Sequence, residues 1–337
     1  MATPREAGFH MPPEWAPHAR TWMAWPCAEY FDDLDRARQA WAQVANTIVR
    51  YEPVTMVAHP NHVASARAEL APGVEVMGAP IDDAWMRDSG PTFLLDDAGA
   101  LGAVDWVFNG WGAQDWASWE HDAEIAAAVI AQAGANGFPS ALVNEGGGIH
   151  VDGEGTVILT ETVQLDPDRN PGASKARVEA ELAEMIAAAH AIWLPRGLTA
   201  DYDEMGTRGH VDLLAAFVRP GVVVAHHQPD ATSPDHEIAE ENAAILAAAG
   251  LEVVHLTAPP SSETPERPND WNYINFYTGN GFVLVGTFGH EAHDDAACQT
   301  LATLFPGRAI EPVDARPMFD CGGGIHCITQ QQPVSSI

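Results

Sequence analysis

The chain has 337 residues, 46% of them hydrophobic and 19% charged, enough to bury a sizeable core, which excludes disordered and fibrous classes. Sixteen Lys and Arg face 47 Asp and Glu, a formal net charge of −31, and Lys175 is the only lysine. Such a surface repels nucleic-acid backbones and anionic membranes and attracts small cations.

In chain order, apolar periodicity predicts a helix over Leu34–Tyr51 behind an Asp33 cap, a strand over Val54–Ala58, and a helix over Asn61–Leu70 capped by Asn61. Strands follow at Val74–Met77 and Thr92–Leu95, then a helix at Trp119–Ala133, a strand at Val157–Thr160 and a helix at Ser174–Ala189 opened by Ser174. The last third reads as strand Val222–Ala225, helix Asp235–Ala249 with its cap within Ser233 to Asp235, strands Glu252–Leu256 and Phe282–Gly286, and helix Glu291–Leu304. The class is α/β with short strands and connections rich in Gly and Pro. The Pro-rich stretch Ala258–Asp270 reads as a loop and candidate lid. No stretch approaches the ~18 apolar residues of a membrane span. Met1 to Phe9 has no apolar signal core, and Cys27, Cys298, Cys321 and Cys327 form no Cys-x-x-Cys pair. These features point to a cytoplasmic chain with reduced thiols.

The string Gly-Gly-Gly-Ile-His occurs twice, at Gly146–His150 and Gly322–His326. Glycine-flanked or similarly placed polar residues recur at Asp88, Glu145, His210, Asn275 and Cys327, separated by 57, 65, 65 and 52 residues. Five units of similar length suggest radial repetition, with one polar loop per unit around a centre.

Cys327 alone reads as a small buried hydrophobe. The triple glycine before it, a cationic ligand beside it and a histidine partner would make it a nucleophile. In an extended Gly-His-Val-Asp segment, His210 and Asp212 would point to one side. A His-x-Asp pair also serves as a metal half-site, and His226-His227 and His290-x-x-His293 supply spare imidazoles, but the ligand set is incomplete and no metal is expected. Asp88 and Glu145, each a plausible turn carboxylate by itself, join Asp212, His210 and Cys327 in a strongly anionic set. Paired carboxylates grip a planar guanidinium in a fork, so the expected ligand is a guanidino or amidino compound whose central carbon a thiolate attacks.

The chain resembles the agmatine deiminase family of the guanidine-modifying (pentein) superfamily. The likeness runs from Met11-Pro-Pro-Glu-Trp-Ala-Pro-His18 and Thr21-Trp-Met-Ala-Trp-Pro26 through Trp85-Met-Arg-Asp-Ser-Gly-Pro91, Glu145-Gly-Gly-Gly-Ile-His150, Asn170-Pro171, Leu194-Pro-Arg-Gly-Leu198 and Gly209-His-Val-Asp212 to Gly322-Gly-Gly-Ile-His-Cys-Ile-Thr-Gln-Gln-Gln-Pro333. It implies a five-bladed, pseudo-symmetric ββαβ propeller (pentein fold) as a single catalytic domain over 1–337, working without cofactor or metal. It assigns Cys327 as nucleophile, His210 as acid and base, Glu145 as the residue orienting His210, and Asp88 and Asp212 as the guanidinium clamp. It also implies a homodimer. Family members carry Asp-Thr-Asp/Asn-Gly-His-Val-Asp where this chain has Gly206-Thr-Arg-Gly-His-Val-Asp212. Arg208 therefore either pairs outward with Asp201, Asp203 or Glu204, or reads a substrate carboxylate. Trp85, Trp271 and Tyr273 either wall an aliphatic substrate chain or pack in the core. The expected reaction is hydrolysis of agmatine to N-carbamoylputrescine and ammonia. Deimination of arginine, peptidyl-arginine or another guanidino acid, amidino transfer, ligand binding without catalysis and a metal-dependent hydrolase on the same scaffold remain the alternatives.

Overall fold

In the computed structural model, residues 2–28, 31, 33–260 and 270–336 are described. Among them the strands form five sheets; each holds a strand that pairs antiparallel with one neighbour and parallel, across a helix, with another, and two of the sheets carry a fourth strand at one edge. Ala215–Arg219 runs antiparallel to Val222–His227, for example, which then pairs in parallel with Glu252–Thr257 after the helix Pro234–Ala248. Parallel neighbours need such a crossover, which is why helix and strand signals alternate along the chain. The ring closes where Gln330–Pro333 pairs antiparallel with His18–Ala24, so the last described strand and the second one share a sheet.

Helix Leu34–Ile48 illustrates how local sequence sets each unit. Asp33 accepts a hydrogen bond from the Arg36 N–H, and Ala37, Ala40, Trp41, Val44, Ala45 and Ile48 form a buried stripe at helical spacing. Fully burying one such large side chain contributes roughly 1.5–3 kcal/mol. Ser174 and Ser233 cap their helices as expected. Asn61 does not: His59 accepts from the Asn61 N–H, a 3-10 turn spans Pro60–His62, and the α-helix starts at Val63. The turn arises because Pro60 fixes its own φ at the first helical position. The helix predicted over Trp119–Ala133 occupies only Ile125–Ala133, after the 3-10 turn Asp122–Glu124. The loop expected at Ala258–Asp270 falls mainly on 261–269, outside the described residues.

Asp88, Glu145, His210, Asn275 and Cys327 each lie just before the first strand of a unit: Thr92–Asp96, Ile149–Val151, Ala215–Arg219, Tyr277–Gly279 and Gln330–Pro333. The spacing of polar residues thus follows the structural repeat. All five are buried, none more than 5% exposed.

Candidate active site

Cys327 follows the triple glycine and is held by Asn275. The Asn275 amide donates to Cys327 Sγ at 3.3 Å, and its Oδ1 accepts from the His326 N–H at 2.9 Å. Asp212 Oδ2 lies 3.6 Å from the sulfur. Burial pushes the Cys327 thiol well up, and Asp212 and Asp88 push it further, so it rests protonated.

His210 is positioned from both ends. Asp201, itself buried, accepts backbone N–H bonds from Thr207, Gly209 and His210. At Gly209, φ is +118 and a side chain would meet Thr162 and the Gly197 backbone, so the turn into His210 requires glycine. The segment is not extended through Asp212 as the sequence suggests. A 3-10 turn covers Val211–Leu213, which sends Val211 into the core while His210 and Asp212 still converge. His210 Nε2 meets Glu145 Oε2 at 3.3 Å, and Nδ1 lies 3.8 Å from Asp88 Oδ1. Burial disfavours the imidazolium, but Asp88, Glu145 and Asp212 outweigh it and raise His210 to about 9. Glu145 is itself gripped by Arg169, whose Nε donates to both carboxylate oxygens at 2.9 and 3.1 Å. Burial favours its neutral form, yet Arg169 and His210 bring Glu145 down to about 2.

Asp88 accepts from the Gly147 N–H at 3.0 Å on Oδ1 and from the Trp111 indole at 2.9 Å on Oδ2. Burial raises Asp88, partly offset by His210. Asp212 is lowered, because a hydrogen bond and charge from His326 overcome its burial. A Cβ placed on Gly147 would lie 2.6 Å from His210 Nδ1, 2.9 Å from Asp88 Oδ1 and 3.0 Å from Asp212 Oδ2, so all three aim at one point. Among the described residues, His210 Nδ1 and Asp212 Oδ1 have no hydrogen-bond partner although both are buried. A buried acceptor left open in this way is costly unless a ligand donates to it.

Trp85 borders the sulfur: a Cβ on Gly323 would be 2.7 Å from its ring and 3.2 Å from Cys327 Sγ. Its other side packs edge-on against Trp41 at 5.4 Å. Tyr273 and Trp271 instead pack on Phe288, and the Tyr273 hydroxyl donates to Asp294, so Tyr273 is a core residue and Trp271 a partly buried one packed against the core. Arg208 differs from its expected pairing. Asp201 is occupied by backbone donors, and Arg208 donates to Asp166 at 2.9 Å and Asp168 at 3.0 Å. Asp166 also accepts from Arg169, so the two arginines share it.

Sequence reading missed Trp111 and Arg169 and gave Asn275 no contact with the thiol. Trp111 lies in a turn with φ values of 55, 88 and 52 at Trp111, Gly112 and Ala113, a left-handed run with no periodic signal. Its flanking glycines, Gly110 and Gly112, were the available clue.

Five ββαβ units enclosing a buried thiol, imidazole and carboxylates define the pentein architecture of guanidine-modifying enzymes. The model of the Porphyromonas-type peptidyl-arginine deiminase family matches residues 10–333, and the chain belongs to that family. A relative from Streptomyces avermitilis is 54% identical over 99% of both chains. An agmatine deiminase of Stutzerimonas stutzeri is 39% identical, covering 98% of this chain and 97% of its own. The solved agmatine deiminase of Enterococcus faecalis superposes with a TM-score of 0.92 at 32% identity, covering 99% of this chain and 98% of its own.

Proposed function

We propose that the protein is a hydrolytic agmatine deiminase, converting agmatine and water to N-carbamoylputrescine and ammonia. One observation carries the reading: Asp88, Asp212 and His210 converge on one buried point beside the Cys327 sulfur, and among the described residues Asp212 Oδ1 and His210 Nδ1 have no hydrogen-bond partner.

A guanidinium held by the two aspartates offsets the negative charge that keeps the thiol neutral, so Cys327 gives its proton to solvent as substrate binds, and released ammonia takes that proton up as ammonium. The thiolate attacks the guanidinium carbon and forms a tetrahedral adduct. His210 gives the proton on Nδ1 to the departing nitrogen, the C–N bond breaks, and ammonia leaves an amidino-cysteine. Neutral His210 then takes a proton from water as its oxygen attacks the same carbon. The second adduct collapses to the ureido product as the C–S bond breaks, and the hydroxyl proton returns to sulfur. Glu145, fixed by Arg169, holds His210 with Nδ1 toward the substrate. A cytoplasmic setting fits this chemistry, since the nucleophile must stay reduced.

Agmatine has no carboxylate, and the one basic residue that departs from the family pattern here, Arg208, is already divided between Asp166 and Asp168. The net charge of −31 also favours a doubly cationic substrate. The direct assay measures ammonia and ureido product from agmatine, free arginine and a peptidyl-arginine. Equal amounts of ammonia and N-carbamoylputrescine are expected without any amine acceptor, with kcat/KM for agmatine about 100-fold or more above that for arginine. An absolute requirement for an acceptor would make the protein an amidinotransferase instead.

Arg208→Ala is expected to change agmatine and arginine turnover by the same small factor, about threefold or less, since it removes a partly exposed ion pair. A loss confined to arginine would assign Arg208 to the substrate.

A further inference from the structure

Beneath the guanidinium clamp lies a buried cluster that takes no part in the steps above. The two Gly-Gly-Gly-Ile-His strings each deliver a histidine to it. His326 Nε2 is 2.7 Å from Glu14 Oε1, and His150 Nε2 is 3.6 Å from Glu14 Oε2. The rings stack with centroids 6.2 Å apart. On its other side, His326 Nδ1 is 2.8 Å from Asp212 Oδ2. Arg87 Nη1 lies 3.4 Å from Glu14, and Arg87 Nε donates to the His326 carbonyl. Glu14, His150 and His326 are 5%, 2% and 2% exposed.

Ligand atoms of Glu14, His150 and His326 lie within 4.8 Å of one another, close enough to raise the question of a metal. Arg87 opposes a cation at that point, and both nitrogens of His326 already face carboxylates at hydrogen-bond distance. A carboxylate only accepts, so two such partners call for a proton on each ring nitrogen.

We propose that His326 is a positioning residue, an imidazolium held between Glu14 and Asp212, which fixes Asp212 with Oδ1 toward the substrate and keeps it anionic beside the thiol. The proposal rests on the deiminase reading for its consequence, though not for its geometry. Burial and Arg87 act against the charge on His326, and Glu14 and Asp212 outweigh them. Asp212 is faced by His326, His210, Arg87 and the Cys327 sulfur, with Asp88 across the same point. With His326 in contact, Asp212 sits below its ordinary value, so it stays charged to lower pH. Losing that contact moves its titration upward.

The test uses His326→Asn and the isosteric Glu14→Gln, with folding checked by circular dichroism. Both are expected to raise the agmatine KM about tenfold or more while lowering kcat far less, because the clamp loses grip on the substrate while the nucleophile and acid stay in place. A purely structural role would lower Tm and leave the agmatine KM of the folded variants unchanged, which would overturn the proposal. Nitrogen-15 NMR of the wild-type histidines decides the matter even if neither variant folds. At pH 7 both His326 nitrogens are expected to carry protons, and a neutral imidazole would overturn the assignment. The NMR measurement needs no turnover, so its failure is distinguishable from failure of the deiminase reading.

Discussion

Cys327→Ser is expected to fold like the wild type, to bind agmatine, and to turn it over on the order of 10⁴-fold more slowly or worse. The sulfur supplies the bond that holds the amidino carbon between the two half-reactions, and a serine hydroxyl in the same place is a far weaker nucleophile. The replacement keeps the size of the side chain, and Asn275 can still donate to the hydroxyl oxygen, so the loss is one of chemistry rather than packing. Ammonia release measures the rate and calorimetry measures retained binding. Intact-mass analysis of the wild type, acid-quenched during turnover, is expected to show the amidino adduct. Residual activity within tenfold of wild type would remove covalent catalysis from the account.

Gly147→Ala is the second substitution with a large expected effect, and it is the sharper test of the geometry. The backbone at Gly147 is outside the left-handed region, so alanine adds no conformational strain there. Its methyl group, however, would press on His210 Nδ1 at 2.6 Å, Asp88 Oδ1 at 2.9 Å and Asp212 Oδ2 at 3.0 Å. It would stand where a substrate nitrogen belongs and spread the three groups that hold it. A misplacement of about 1 Å costs roughly 10²-fold, and kcat/KM is expected to fall by about 10² to 10³ while the fold persists. Wild-type kcat/KM in this variant would show that the three groups do not share the reacting position.

The residues of the candidate site were legible because each repeat brings its own to an equivalent place. Asp88, Glu145, His210 and Cys327 stand out as polar residues in glycine-flanked loops, and the periodic helices between them give the unit length. What the sequence hides is the partner of each. Glu14 and His326 are 312 positions apart, and only ring closure brings them together, while Arg169 reaches Glu145 from another loop of the same unit. Arg208 was paired with its sequence neighbours because local charges are the ones a sequence displays. Backbone donors had already taken Asp201, and the arginine turned to another loop. Of the first strands, Thr92–Asp96 was legible and the shorter ones were not, for a related reason. Tyr277–Gly279 and Ile149–Val151 are too brief for alternation to register, and their sheets are completed by later strands.

The seam between Gln330–Pro333 and His18–Ala24 also bears on how the protein is made. Translation delivers the docking strand near the outset and its mate near the end, with the nucleophilic sulfur emerging just ahead of that mate. Cys327 sits just ahead of the closing strand, so the proposed site is complete only once the seam has formed. Such a long-range contact forms slowly, so completion of the pocket is tied to the slowest class of folding event.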